Sequence, residues 1–325
     1  MAFVASLVAT VVSAVFAVRL VGRWTTGGRT NAAMLAWSIS IIMFSVASLM
    51  LLVGVVVGWS MASFRTFYLF GAVLNVPWLA LGSVLVNARS PFTSRATGVV
   101  TVLVGLAFLP GVLRGDPLAM AGAVIGVVWG LLQIEATPER VRRGSAVLLV
   151  GWSVVAAVVV LSSDLGALPT DGLPEGREVF GAWARSFAVG GNAVGSLVVI
   201  VGALVAVGNL GWQALGASRR RVVGSKVRER AVDGLAVGVL DGWRALAPAG
   251  LRDLAVGNLL IALGVVFAAG SGGMFSFLGD TTAHAVGLGV GVLIMFSGFD
   301  RTARGVNPPA ASATSVADAD ASAST

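Results

Sequence analysis

The third apolar run of the sequence carries polar side chains at helical spacing. Residues three and four apart share one face of a helix. That spacing groups six residues: Arg65, Tyr68, Gly71, Asn75, Trp78 and Gly82. Ionisable and strongly polar groups inside a membrane are expensive, and they are functional candidates by default. This face therefore predicts either a ligand-binding surface or a polar seam between packed helices.

Pro77 lies in the middle of the same run. A proline lacks the backbone donor, so the carbonyl of Val73 loses its helical partner. In a membrane this is tolerated only where a side chain, a neighbouring helix or water restores the hydrogen bond. We therefore expect a bend near Pro77 with Asn75 facing protein rather than lipid. Asn75 would bond either the freed carbonyl or another helix.

Two more polar residues belong to the same set of candidates. Asn192 lies in the seventh apolar run, and His284, the only histidine, begins the last one. The alternation of loops described below places both near the outer end of the bundle, together with Arg65 and Tyr68. The candidate ligand-binding residues are Arg65, Tyr68, Asn75, Trp78, Asn192 and His284. Packing seams between helices are the alternative interpretation for each of them.

An acidic loop adds a second candidate site. Asp171, Glu175, Arg177 and Glu178 lie within one segment between apolar runs. Carboxylates beside arginines at a membrane surface can bind a cation or act on a lipid head group. The same composition is also ordinary for a solvated loop. A head-group phosphate, Glu175 or Glu178 is the natural partner expected for Arg65.

Several chemistries are excluded by residues that the sequence lacks. It has no cysteine and one histidine, which excludes disulfides, thiolate catalysis and Cys/His metal clusters. No Asp or Glu lies near the middle of an apolar run, and no phosphate-binding, GxSxG or HExxH motif occurs. We therefore expect no cofactor, no metal and no catalytic residues, which favours a protein that is not an enzyme.

The elements that position these residues are apolar runs. Charged residues make up only 11% of the chain and hydrophobic ones 57%, and the mean hydropathy is +0.92. A transmembrane helix needs about 20 apolar residues, and only helices satisfy their own backbone in lipid. The sequence predicts an all-α transmembrane bundle of about nine spans: 2–18, 33–57, 66–86, 97–113, 118–134, 145–161, 186–207, 254–270 and 281–298.

The basic residues set the orientation. With the N-terminus outside and the C-terminus cytoplasmic, 18 of the 22 lysines and arginines fall in cytoplasmic loops, as the positive-inside bias requires. Only Arg65, Arg114, Arg177 and Arg185 lie outside. Because the basic residues lie between apolar runs, the net charge of +7 indicates membrane topology and not nucleic-acid binding.

This layout divides the chain into four parts. A seven-helix membrane bundle covers 1–207, and a basic, partly amphipathic cytoplasmic loop covers 208–253. Two further spans cover 254–299, and a disordered cytoplasmic tail covers 300–325. In the fifth run, Gly122, Gly126 and Gly130 repeat every fourth residue up to Gln133, a spacing that favours close helix packing.

Three stretches resemble an uncharacterised family of multi-pass membrane proteins from high-GC Gram-positive bacteria. They are FRTFYLFGAVLNVPWLALGS (64–83), LPEGREVFGAWARS (173–186) and GNLLIALGVVFAAGSG (257–272). The similarity extends over most of residues 19–300. It implies the same nine-helix layout, but it brings neither an activity nor catalytic residues.

Three functions stay open at this point. The leading hypothesis is a non-enzymatic protein of the bacterial plasma membrane that binds a lipid, a small amphipathic molecule or a partner helix in the outer half of the bundle. The alternatives are a transporter for a neutral or amphipathic solute, and a membrane enzyme acting on lipid through the 162–185 loop. The expected partners are membrane lipids, other membrane proteins or further copies of the chain.

Overall fold

The fold is all-α. A computed structural model describes residues 2–27, 29, 31–88, 90–168, 173–223, 249–270 and 281–306. Every regular element in these ranges is a helix, and two residues there, Leu165 and Phe180, form an isolated antiparallel bridge. The predicted fold class, a polytopic helical bundle, is confirmed.

Twelve α-helices and one π-helical segment make up the described chain. They are α1 (Ala2–Thr26), α2 (Ala32–Val57), α3 (Met61–Phe67), the π segment (Tyr68–Leu74), α4 (Asn75–Asn87), α5 (Pro91–Ala107), α6 (Leu109–Leu113), α7 (Pro117–Glu135), α8 (Pro138–Ser162), α9 (Gly176–Val179), α10 (Ala182–Val223), α11 (Ala249–Gly270) and α12 (Thr281–Val306).

Eight helical stretches of the described chain are long and apolar enough to cross a membrane. They are Ala2–Thr26, Ala32–Val57, Met61–Asn87, Pro91–Leu113, Pro117–Glu135, Pro138–Ser162, Ala182–Leu210 and Ala283–Thr302. Each contains or overlaps one predicted span. The remaining predicted span, 254–270, is helical within the 22-residue α11. The count of nine and the orientation of the termini stay predictions.

The helices begin where short polar residues precede apolar runs. Asn31 accepts a hydrogen bond from the backbone N–H of Met34, and Ser60 and Ser63 form a reciprocal capping box at the start of α3. Prolines open α5, α7 and α8, where a missing N–H costs nothing because that donor has no helical partner. These signals fix the residues at which the helices begin.

The span formed by α3, the π segment and α4 lies at the centre of the bundle. It packs against α2, α8 and α10. One hydrophobic core surrounds α4 and extends across most helices, with Trp129, Phe16 and Leu20 among its buried members. A smaller core, called the second core here, surrounds the start of the span and includes Phe64, Tyr68, Val179, Phe180 and Ala184.

Glycines allow two helix pairs to approach closely. A Cβ atom added at Gly126 of α7 would lie 2.6 Å from the Cα of Gly105 on α5. On α12, a Cβ at Gly298 would lie 2.7 Å from the carbonyl oxygen of Gly257 on α11. The predicted small-residue repeat in α7 is therefore a packing seam, since its backbone meets the backbone of α5.

Helices cross three of the predicted boundaries, since α11 already begins at Ala249, within the predicted 208–253 loop. Helix α10 continues to Val223, beyond the predicted end of the bundle at 207, because the polar residues after Leu210 do not prevent helix formation outside lipid. Likewise, α12 continues to Val306, so the beginning of the predicted tail is helical. The rest of the predicted loop up to 248, and the tail after 306, lie outside the described residues.

Candidate functional site

The site is built around Arg65 at the start of the central span. The capping box at Ser60 and Ser63 fixes the first turn of α3 and so places Arg65 at the end of the bundle. Its Nη2 donates a 2.6 Å hydrogen bond to the carbonyl oxygen of Ser163, just after α8. Its Nε is buried and has no hydrogen-bond partner in the described structure.

The segment after Ser163 folds back over this end of the span. The backbone N–H of Gly166 donates to the carbonyl of Val179, which closes the loop and places α9 and Phe180 beside Tyr68. The rings of Tyr68 and Phe180 lie 4.3 Å apart. At Gly176 a Cβ would meet the ring of Tyr68 at 2.6 Å, so only glycine permits this approach.

An aromatic cluster results from this folding. It comprises Trp59, Phe64, Phe67, Tyr68 and Phe180, with ring centroids between 4.3 and 6.3 Å apart. Aromatic rings in such tilted and offset pairs stabilise one another beyond the area they bury. The cluster therefore forms an apolar group of side chains at the end of the span where Arg65 lies.

A second arginine reaches the same place from α10. Arg185 lies in the first turn of that helix, directly after Ala184, which packs in the second core together with Tyr68. Like Arg65, it is half-buried, and its Nε is buried without a hydrogen-bond partner in the described structure. Arg65, one turn before Tyr68 in the chain, and Arg185, next to Ala184, therefore lie at the same end of the span as Tyr68.

The acidic residues in the described part of the loop form no ion pair with these two arginines. Glu175 pairs with Arg177, at 2.5 Å between Nε and Oε2, so the expectation that Glu175 is the partner of Arg65 is wrong. The reason is local: Arg177 is two residues away in the chain and needs no folding of the loop. Glu178 is exposed, and Asp171 lies outside the described residues.

The polar residues deeper in the span hold helices together. The Oγ of Ser40 on α2 donates a 2.7 Å hydrogen bond to Oδ1 of Asn75, and the indole of Trp78 donates to Ser153 on α8. The prediction that Asn75 faces protein is confirmed, since its side chain is buried and bonds another helix. For Asn75 and Trp78 the packing interpretation therefore explains the contacts.

The helical interruption lies before Pro77 rather than at it. Residues Tyr68–Leu74 form the π segment, in which backbone hydrogen bonds span five residues rather than four. Asn192 of α10 donates from Nδ2 to the carbonyl oxygen of Ala72 in this segment, at 2.8 Å. A side chain from a neighbouring helix thus bonds the irregular backbone, as membrane burial requires.

His284 is placed separately from this group. It is buried in the first turn of α12, a helix that packs against α1 and α11. Arg65, Tyr68 and Asn192 instead lie around α3, the π segment and α10. The structure therefore brings Arg65 and Tyr68 together with Arg185, places Asn192 further along the span, and gives His284 other neighbouring helices.

Three residues of the site carried weak signals in the sequence. Arg185 was visible only as one of four basic residues on the side where arginine is disfavoured. Phe180 and Gly176 lie in the stretch LPEGREVFGAWARS, but their contact with Tyr68 depends on the path of the loop. Among the described residues no group of three or more His, Asp or Glu side chains is placed to hold a metal ion.

No family model, curated protein or solved structure matches the chain. The resemblance to a family of multi-pass proteins therefore stays a prediction. What the fold defines is the class: an all-α protein with eight membrane-type helices in its described part.

The interhelical bond of Asn75 allows a direct test of the packing interpretation. Asn75→Leu is expected to lower the free energy of unfolding by about 1 kcal/mol, the range of one hydrogen bond between membrane helices. The measurement is reversible unfolding in mixed micelles followed by circular dichroism. Ser40→Ala should lower the free energy of unfolding by a similar amount. The double variant should lose less than the sum of the two single losses, because both substitutions remove the same hydrogen bond.

Asn258→Leu is the matched control for Asn75→Leu. Asn258 donates to the carbonyl of Leu254 in its own helix, so its replacement should destabilise the bundle less. Equal losses for Asn75→Leu and Asn258→Leu, or additive effects of Asn75→Leu and Ser40→Ala, would contradict the role of this interhelical bond.

Proposed function

We propose that the protein is a non-enzymatic integral membrane protein that binds a lipid or a small amphipathic molecule with an anionic head group. The site is the end of the bundle where Arg65 and Arg185 lie beside the second core that contains Tyr68. The observation that supports it is that the Nε atoms of both arginines are buried without a partner. Among the described residues neither arginine forms an ion pair.

The chemistry of the guanidinium group favours an anion. Arginine binds phosphate and carboxylate through parallel N–H donors, and a half-buried arginine without an opposite charge is stabilised when an anion joins it. Two such groups beside one aromatic cluster suit a phosphate or carboxylate head. Exposed apolar residues next to the cluster, Val57 and Met61, provide a surface along which an acyl chain can lie.

The membrane and its orientation belong to the same proposal. The bias of 18 among 22 basic residues toward one side favours a plasma membrane with this end of the bundle outside. Partner membrane proteins or further copies of the chain could cover the lipid-facing helices.

The transporter alternative has one observation in its favour. Interrupted helices line the substrate sites of many transporters, and the π segment interrupts the central span. The bond from Asn192 to Ala72 supports a fixed structural role for that segment instead. The enzyme alternative depended on the loop acids, and Glu175 is paired with Arg177. Lipid binding therefore has the stronger support.

Native mass spectrometry of the full chain tests the proposal. The purified protein is titrated with phosphatidylglycerol, and phosphatidylcholine serves as the comparison lipid. Arg65→Gln and Arg185→Gln are each expected to weaken phosphatidylglycerol binding about tenfold, since a charged hydrogen bond contributes roughly 1.5–3 kcal/mol. Binding of phosphatidylcholine should change less.

Arg114→Gln is the matched control. Arg114 is predicted to lie on the same side of the membrane, and it is exposed, so it reports general attraction between the surface and anionic lipid. The proposal fails if Arg65→Gln and Arg185→Gln bind phosphatidylglycerol as tightly as Arg114→Gln does.

A further inference from the structure

A polar cleft opens at the opposite end of the bundle. Its volume is about 220 Å³, and it lies where α5 and α8 begin and α7 ends, with Pro91, Ser94, Arg95, Gln133, Glu135 and Val141 among its lining residues. Helix α8 separates the two ends: it begins with Pro138 in this cleft and ends before Ser163, which bonds Arg65. The cleft is therefore independent of the anion site proposed above.

Gln133 is an unusual residue in the wall of this cleft. Its side chain is only 1% exposed, and its Nε2 donates to the carbonyl oxygen of Trp129. That bond assigns the amide orientation, because a carbonyl oxygen needs a donor. Its Oε1 is then a buried acceptor, and it has no hydrogen-bond partner in the described structure. Buried acceptors of this kind are rare in folded proteins.

Opposite charges line the same cleft without pairing. Arg95 and Glu135 both contribute to its wall, and both are exposed. In the described part of the chain, neither forms an ion pair with the other, whereas four other Asp or Glu residues do pair with arginines. A carboxylate that can bind a cation, an arginine that can bind an anion and a buried hydrogen-bond acceptor thus line one small cleft.

We propose that this cleft binds a zwitterion that carries a primary ammonium and an anionic group. The ammonium donates to Oε1 of Gln133 and lies beside the carboxylate of Glu135, while the anionic group pairs with Arg95. The volume of about 220 Å³ is below the roughly 300–1,000 Å³ typical of drug-sized ligands, which suits a head group. Such a zwitterion is either the head of phosphatidylethanolamine or a free molecule such as phosphoethanolamine.

The decisive comparison is between ammonium and quaternary ammonium. Phosphatidylcholine has the same charges as phosphatidylethanolamine, but its nitrogen carries no hydrogen to donate to Gln133. A site with a buried polar group discriminates strongly against an analogue that leaves the group unpaired. In native mass spectrometry of the full chain, we expect phosphatidylethanolamine to bind at least about tenfold more tightly than phosphatidylcholine.

Three variants separate the contributions of the three residues. Gln133→Met keeps the size of the side chain and removes the acceptor, so the preference for phosphatidylethanolamine over phosphatidylcholine should disappear. Arg95→Gln should weaken the binding of phosphatidylethanolamine and of phosphatidylcholine. Glu135→Gln should reduce the affinity for each of these two lipids relative to the affinity for phosphatidylglycerol. Arg140→Gln, an exposed change outside the cleft lining, is the control and should leave all three affinities unchanged.

Free phosphoethanolamine distinguishes the two sources of the zwitterion. If it displaces phosphatidylethanolamine and binds the lipid-free protein, the ligand is a free solute; if it does neither, the lipid head group is the ligand. Equal affinity for phosphatidylethanolamine and phosphatidylcholine in the unmodified protein would overturn the proposal. So would an unchanged preference for phosphatidylethanolamine over phosphatidylcholine in Gln133→Met. Arg65→Gln should not affect this preference, which keeps the test separate from that of the anion site.

Discussion

Replacing Trp129 by alanine is expected to lower the free energy of unfolding by about 3–5 kcal/mol, the usual range for removing a large buried aromatic side chain. Trp129 is 1% exposed and has the largest of the fully buried side chains among the described residues. Its indole N–H donates a 2.9 Å hydrogen bond to Oγ of Ser145 on α8. The substitution removes the packing of the ring and leaves the hydroxyl of Ser145, itself 0% exposed, without this donor.

In a membrane, the expected loss of stability comes mainly from lost packing contacts. Apolar lipid tails remove most of the hydrophobic driving force between membrane helices, so packing contacts provide much of the stability. A void at Trp129 forfeits those contacts on several helices at once. Reversible unfolding in mixed micelles, followed by far-ultraviolet circular dichroism, measures the loss.

Trp183→Ala is the control for Trp129→Ala. Trp183 is 57% exposed, and an exposed substitution usually changes stability by no more than about 0.5 kcal/mol. Ser145→Ala isolates the hydrogen bond and should cost about 0.6 kcal/mol. A Trp129→Ala variant as stable as Trp183→Ala would show that the ring is not a packing centre of the bundle.

The fold was predictable because the membrane imposes one strong rule on the backbone. Apolar runs of sufficient length must be helical in lipid, and this alone located the spans. The repeat of Gly122, Gly126 and Gly130 also predicted close packing correctly, since small residues are needed wherever two backbones meet. Capping residues such as Ser60 and Asp116 fix helix starts through contacts within a few residues.

The site was predictable only in part, since its members come together through the path of a loop. Arg65 and Tyr68 share a helix face, and that proximity follows from periodicity. The approach of Arg185 and Phe180 to Tyr68 depends on how the segment after Ser163 folds back. The cleft at Gln133 needs the ends of three helices, and no local pattern encodes such a meeting point.

The π segment explains why the predicted polar face is divided. A turn of π-helix takes up more residues than the 3.6 of an α-helix, so side chains after Leu74 are rotated relative to those before Tyr68. Tyr68 therefore meets Phe180, while Asn75 meets Ser40 on α2. A strict spacing of three and four residues, applied across the interruption, placed both on one face.

Gly126→Ala is expected to destabilise the bundle by about 1–3 kcal/mol, the range for overpacking a closely packed interior. The added Cβ would lie 2.6 Å from the Cα and 2.8 Å from the backbone nitrogen of Gly105. Because these are backbone atoms, no side-chain rotation relieves the contact, and α5 and α7 must move apart. Gly126→Val, with a larger side chain, should destabilise the bundle more than Gly126→Ala.

Two other glycines separate this backbone contact from general effects of alanine. At Gly151 of α8 a Cβ meets nothing within 4 Å, so Gly151→Ala should retain full stability, and the better helix propensity of alanine favours a small gain. At Gly144 the nearest atoms, from 2.7 Å, belong to the flexible end of Leu132, which can move aside at lower cost. Unfolding in mixed micelles should therefore rank the losses as Gly126→Ala first, Gly144→Ala second and Gly151→Ala last. A Gly126→Ala protein as stable as Gly151→Ala would show that α5 and α7 are not in backbone contact, and the packing seam would have to be placed elsewhere.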